Sequence, residues 1–300
     1  MADVSAVADG ALLDVMTGGT LKIEAKLDVR GTLQLNGGSL AGGGIIDLDQ
    51  GNLSLLSDYS TGTGPTLDFF AQAAGNTGIT TVNGPGILTN AAGQSTYFVN
   101  DQINTGLENV GDIQVSGQTA FNGTFDNTLG ATLRVATDDA TSSYPLGTLV
   151  IDQGFTNAGD LILDDLSLGR TGANLTVTSG VLTNMGTILS ANSIEDTDNY
   201  THALTASVDN QGSLDIDHDL TMRFGSDPAF VNSGTLDIDR NHTLWIDSAD
   251  ADLNAGTQID GEGILYFLKS TAVKGPLSEI LAPPLPIANF KTVVLIWAQL

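Results

Sequence analysis

Apolar and polar positions alternate with period two along most of this chain, in short runs that start just after a glycine. The unit reads Gly, a small or polar residue, an aliphatic, any residue, a second aliphatic. It occurs as Gly19-Thr20-Leu21-Lys22-Ile23, Gly31-Thr32-Leu33-Gln34-Leu35 and Gly51-Asn52-Leu53-Ser54-Leu55, and again from Gly111, Gly147, Gly159, Gly212 and Gly234. Strict alternation over a few residues is the pattern of a strand with one face buried. The inward set includes Leu161, Leu163, Leu214, Ile216, Leu236, Ile238 and Leu244.

The clearest echo lies at an offset of 22 residues, where Asn210-Gln211-Gly212-Ser213-Leu214-Asp215-Ile216-Asp217 falls on Asn232-Ser233-Gly234-Thr235-Leu236-Asp237-Ile238-Asp239. A strand returning every 20 to 30 residues reads as one coil of a solenoid. Asn-x-Gly recurs at Asn109, Asn157, Asn184, Asn210, Asn232 and Asn254, and reads as a turn in which both residue types tolerate positive φ. Gly-x-Gly followed by two aliphatics, at Gly42, Gly84 and Gly261, reads as a tight corner leading into a strand. No long stretch has a helical period, so helical crossovers and a doubly wound α/β fold are excluded. The expected architecture is all-β, a single-stranded parallel β-helix or β-solenoid. About ten to twelve coils at about 4.8 Å each make a rod about 50 Å long.

Three segments are expected. Residues 1–17 hold one weakly amphipathic stretch, Ala11–Met16, and read as an N-terminal cap or lead-in coil. Residues 18–268 form the β-helix, with longer loops near 138–144 and 191–201. In 269–300 the glycine rhythm stops, and Pro276, Pro283, Pro284 and Pro286 mark a tail or linker. Its end, Val293–Trp297, is an aggregation-prone strand unless it packs on the last coil.

Charge sharpens the functional picture. The 35 acidic against 10 basic side chains give a net charge of -25. Such a surface repels nucleic acid and anionic membrane and attracts cations, calcium above all. There is no cysteine, so disulfides and thiolate metal sites are excluded. No apolar run is long enough for a transmembrane helix, and Met1–Ser5 carries no secretory signal pattern.

The candidate chemistry is acidic. Asp215 and Asp237, and likewise Asp217 and Asp239, occupy matching positions one coil apart. Like charges at strand spacing repel unless something screens them. These four carboxylates are therefore the candidate calcium ligands, with screening by water and salt as the alternative. His202, His218 and His242 are the only imidazoles; His218, flanked by Asp217 and Asp219, reads as outward-facing and all three as solvated. Paired carboxylates at Asp164-Asp165 or Glu195-Asp196 are the candidates for polysaccharide hydrolysis or lysis. The few, scattered arginines Arg134, Arg170, Arg223 and Arg240 make a poor charge clamp for that chemistry.

Repeats such as Phe155-Thr156-Asn157-Ala158-Gly159-Asp160-Leu161 and Phe230-Val231-Asn232-Ser233-Gly234-Thr235-Leu236 resemble those of large bacterial surface proteins, the filamentous-haemagglutinin-like adhesins and autotransporter passenger regions. Leu40–Gly44 and Ile259–Gly263 are similar to the corner motif of the same repeats. The resemblance covers roughly 18–268 and implies a right-handed β-helix, export to the cell surface and adhesion instead of catalysis. Thr271–Leu277 looks like the opening of the immunoglobulin-like modules that follow such regions, and the chain departs from that pattern from Ser278 onward. The expectation is an extracellular, monomeric, acidic stalk that presents loops to a glycan or protein on a host or neighbouring cell. A polysaccharide-degrading enzyme or a phage-spike-like carbohydrate binder on the same fold is the alternative.

Overall fold

The computed structural model describes residues 6–48, 50–69, 79–137, 147–166, 172–191, 193, 201–224, 230–247, 250–254, 256–267, 272–274 and 292–294. It is a β-solenoid of about ten turns with no α-helix among the described residues. Each turn carries three strands, and successive turns stack them into three parallel sheets, here I, II and III. One turn illustrates the circuit: Gln118–Phe121 in sheet I, Phe125–Asn127 in sheet II and Thr132–Thr137 in sheet III. The chain then returns to sheet I, where Thr148–Ile151 pairs in parallel with Gln118–Phe121. Twenty-two residues close the turn from Ser213 to Thr235, and 30 close the one from Gln118 to Thr148. The coil core is constant and the corners absorb the difference.

Alternation places the core. In Ser213–Ile216 and Thr235–Ile238 every second residue is buried. The aliphatics expected inside, from Leu161 to Leu244, are fully buried. Each such side chain contributes about 1.5–3 kcal/mol through removal from water. Aromatic rings continue the stack: Phe98 lies 4.8 Å from Phe69 and 5.7 Å from Phe121, and Phe125 lies 5.1 Å from Phe155.

The Asn-x-Gly motif proves to be a different device from the expected turn. None of the ladder asparagines, nor the glycines that follow them at 111, 159, 186, 212 and 234, has positive φ. Each asparagine is the last residue of a sheet II strand, with its amide turned inward. Asn90, Asn109, Asn127, Asn157, Asn184, Asn210 and Asn232 are all buried. From Asn90 to Asn210, each Nδ2 donates to the Oδ1 of the asparagine one coil on, at 2.8, 2.8, 2.7, 2.7, 2.7 and 2.6 Å. The amides also donate to backbone carbonyls of the next coil, as Asn184 does to Ser213 at 2.8 Å. The glycines are required by proximity: a Cβ on Gly212 would lie 2.1 Å from the carbonyl oxygen of Gly186, and one on Gly234 2.0 Å from that of Gly212. Asn254 is outside the ladder, because Leu253 takes the register position opposite Asn232 and the Thr257 hydroxyl ends the amide column.

The Gly-x-Gly corners behave as expected. Gly42, Gly84 and Gly261 have φ of 99°, 121° and 90°, which disfavours any other residue there. At the N-terminus, Leu12–Met16 is a strand of the first coil, paired with Thr32–Asn36; Leu12 and Met16 are exposed while Val15 is buried. Within 269–300, Ala272–Lys274 extends sheet II and Thr292–Val294 pairs with Ile264–Tyr266 in sheet I, so these two pieces add to the solenoid. The expected loop at 138–144 and most of 191–201 lie outside the described residues.

Candidate functional site

The outer wall of sheet III gathers most of the side chains with chemical potential. Its strands from Ser95–Val99 to Gln258–Gly261 are in register, so outward residues form columns along the axis. One column runs Tyr97, Gln114, Arg134 at one end and Asp215, Asp237, Asp260 at the other, with Ile162 and Leu189 between.

The acidic end matches expectation in register: Asp215 pairs with Asp237, and Asp260 extends the ladder by a third rung. Asp217 and Asp239 leave their strands one coil apart, donating their backbone N–H to Ser190 and Ile216. Partial burial, then the charges of Asp239, Asp215 and Asp237, pushes the Asp217 carboxyl above the usual carboxylate range. Asp237 is raised by the same two causes, with Asp260 its strongest charged neighbour. Among the described residues, no three acidic or imidazole side chains converge as a metal-holding group. Calcium takes six to eight oxygens, so an ion on this wall would draw much of its shell from water.

The opposite end of the column is concave. A cavity of about 510 Å³ lies against three adjacent strands and is lined by Tyr97, Asp112, Gln114, Thr132 and Arg134 among others. The Tyr97 hydroxyl donates to Ser116 Oγ at 3.0 Å, and Ser116 donates onward to the Ala136 carbonyl, which tethers the ring across one coil step. No feature of the sequence points here, because the lining residues are 17 and 20 positions apart and meet only through the stacking.

Arg134 leads inward to Asp164, which is fully buried and forms an ion pair with its guanidinium. Asp164 also accepts from the Ser193 backbone N–H at 3.1 Å and the Ser193 hydroxyl at 2.7 Å. Asp165 is buried beside it. This carboxylate pair is thus part of the core and of a buried ion pair, and does not face a substrate as an exposed acid and base would. Glu195-Asp196 lies outside the described residues.

The histidines correct the sequence reading. His202 is fully buried and His218 nearly so; the His202 and His218 rings lie tilted at a centroid distance of 4.8 Å, and His218 stacks on His242 at 5.9 Å. Alternation carries on past Ile216, so that Leu214, Ile216, His218 and Leu220 are all buried and His218 points inward between two aspartates whose charge suggests that it should follow them outward. Ala173 N–H donates to His202 Nδ1 at 2.7 Å, and His202 Nε2 contacts the Ala191 carbonyl at 2.9 Å. That pair of contacts selects the neutral tautomer with the proton on Nε2. Burial lowers the His202 pKa to about 4 and lowers that of His218 as well.

No family model, curated protein or solved structure matches this chain.

Proposed function

We propose that this chain is a structural and adhesive rod of a bacterial surface protein, exported to the cell exterior and presenting its outer wall and corners to a glycan or protein on another cell. The observation that carries this reading is the amide column from Asn90 to Asn232. It runs through the interior parallel to the axis and locks each coil to the next with directional hydrogen bonds. Buried, satisfied polar ladders of this kind specify register and stiffness along a length. The resemblance of the repeats to adhesin β-helices supports the same reading. Calcium belongs to the proposal as an external brace: burial first, and then the repulsion of neighbouring carboxylates, raises the pKa values of Asp217 and Asp237, and an ion associated with Asp215, Asp217, Asp237 and Asp239 would relieve that repulsion.

The rival reading, a polysaccharide-active enzyme, predicts turnover. Incubating the purified chain with neutral and acidic polysaccharides and following reducing ends and unsaturated products separates the two. The rod reading expects no product accumulation. Sustained release of product, abolished by a single Asp→Asn substitution, would overturn it.

A further inference from the structure

We infer that the cavity on sheet III around Tyr97, Gln114 and Arg134 is a binding site for a short neutral oligosaccharide. The cavity holds about 510 Å³, within the range of small-molecule sites. It spans three parallel strands, about 10 Å at the usual strand spacing, so it is a trough across coils and suits an elongated ligand. Its chemistry is that of polyol recognition. Tyr97 offers a ring face whose position is fixed by the bond from its hydroxyl to Ser116. Gln114 supplies an amide that both donates and accepts, Asp112 a carboxylate acceptor and Thr132 a hydroxyl. Arg134 adds donors: its guanidinium carries five N–H groups, more than the ion pair with Asp164 can use.

Charge decides between neutral and anionic sugars. Arg134 is the cation of the trough, and the buried Asp164 carboxylate already neutralises it. Asp112 adds a negative charge, and the whole chain carries -25. An anionic ligand would meet net repulsion, whereas hydroxyl groups find donors and acceptors in alternation. The lining comes from rigid, in-register strands, so the site is preorganised and little ordering accompanies binding.

The inference deepens the adhesive reading by naming a ligand class for one face of the rod, and rests on that reading only for where the glycan resides. Its test uses the purified full chain with maltotriose, cellotriose, triacetylchitotriose and trigalacturonate, by saturation-transfer NMR and calorimetric titration. At least one neutral trisaccharide should bind, and trigalacturonate should bind at least tenfold more weakly. Tyr97→Ala and Gln114→Ala should each weaken the neutral ligand at least tenfold while the melting temperature stays within a few degrees of the parent. No neutral trisaccharide binding at millimolar concentration, preference for trigalacturonate, or unchanged affinity in both variants would each overturn the inference. Such a failure leaves the rod's turnover and attachment tests unaffected, so the two readings fail separately.

Discussion

Replacing Asn184 by Ala tests the amide ladder at its centre. Asn184 is fully buried, donates to Asn210 Oδ1 at 2.7 Å and to the Ser213 carbonyl at 2.8 Å, and accepts from Asn157 Nδ2 at 2.7 Å. Each such bond contributes about 1 kcal/mol net, so three give about 3 kcal/mol. Asn210 Oδ1 is left facing a methyl group in a buried setting, which costs about 1–3 kcal/mol more. The expected loss is about 4–6 kcal/mol in urea titration followed by far-UV circular dichroism. Asn254→Ala is the matched control: it has the same Asn-x-Gly context but its residue is exposed and outside the ladder, so it should change stability by about 0.5 kcal/mol or less. Equal effects at the two positions, or a loss at Asn184 below about 1 kcal/mol, would refute the ladder as the element that couples the coils.

Other outcomes follow from the same structure. Gly212→Ala should destabilise strongly and Gly43→Ala little, since a Cβ at Gly212 lies 2.1 Å from the Gly186 oxygen while one at Gly43 meets nothing within 4 Å and needs no positive φ; differential scanning calorimetry compares them. Acid should weaken the fold through His202. Its folded pKa of about 4 lies below the ordinary 6.5, so the unfolded chain binds the extra proton between those values and stability falls as pH drops through that window. The shift corresponds to about 3 kcal/mol, and His202→Gln should flatten that part of the stability profile. Asp237 works in the opposite sense. Its raised folded pKa means that its contribution to stability diminishes as pH rises above the ordinary carboxylate value. Asp237→Asn should therefore raise the melting temperature at neutral pH, and millimolar calcium should raise that of the parent over EDTA; an unchanged parent melting point would count against calcium bracing.

The sheets were legible because each has one face in the core. Leu214-Asp215-Ile216 and its copies alternate, and alternation survives any loop length between coils. The same property explains the registered Asp215–Asp237 ladder. The amide column was hidden by its own sequence context, since Asn beside Gly is also the commonest turn signal, and at Asn90 and Asn127 a longer corner separates it from the glycine, Gly93 or Gly130, that takes positive φ there. His218 was misread because acidic neighbours suggest solvent, yet the alternation of Leu214 and Ile216 continues through His218 to Leu220 and places the ring inside. The trough at Tyr97 and Arg134 depends on three strands lying side by side, which only the stacked coils provide.

The most direct test of the rod as an adhesive element is attachment under force. The chain would be coupled to an atomic-force cantilever through its C-terminal end and lowered onto bacterial and epithelial cell surfaces. The account predicts discrete rupture events that soluble chain suppresses, with the coil stack remaining folded until the adhesive bond breaks. No rupture events above those of an uncoated cantilever on either surface, together with turnover of a polysaccharide by the same preparation, would contradict it.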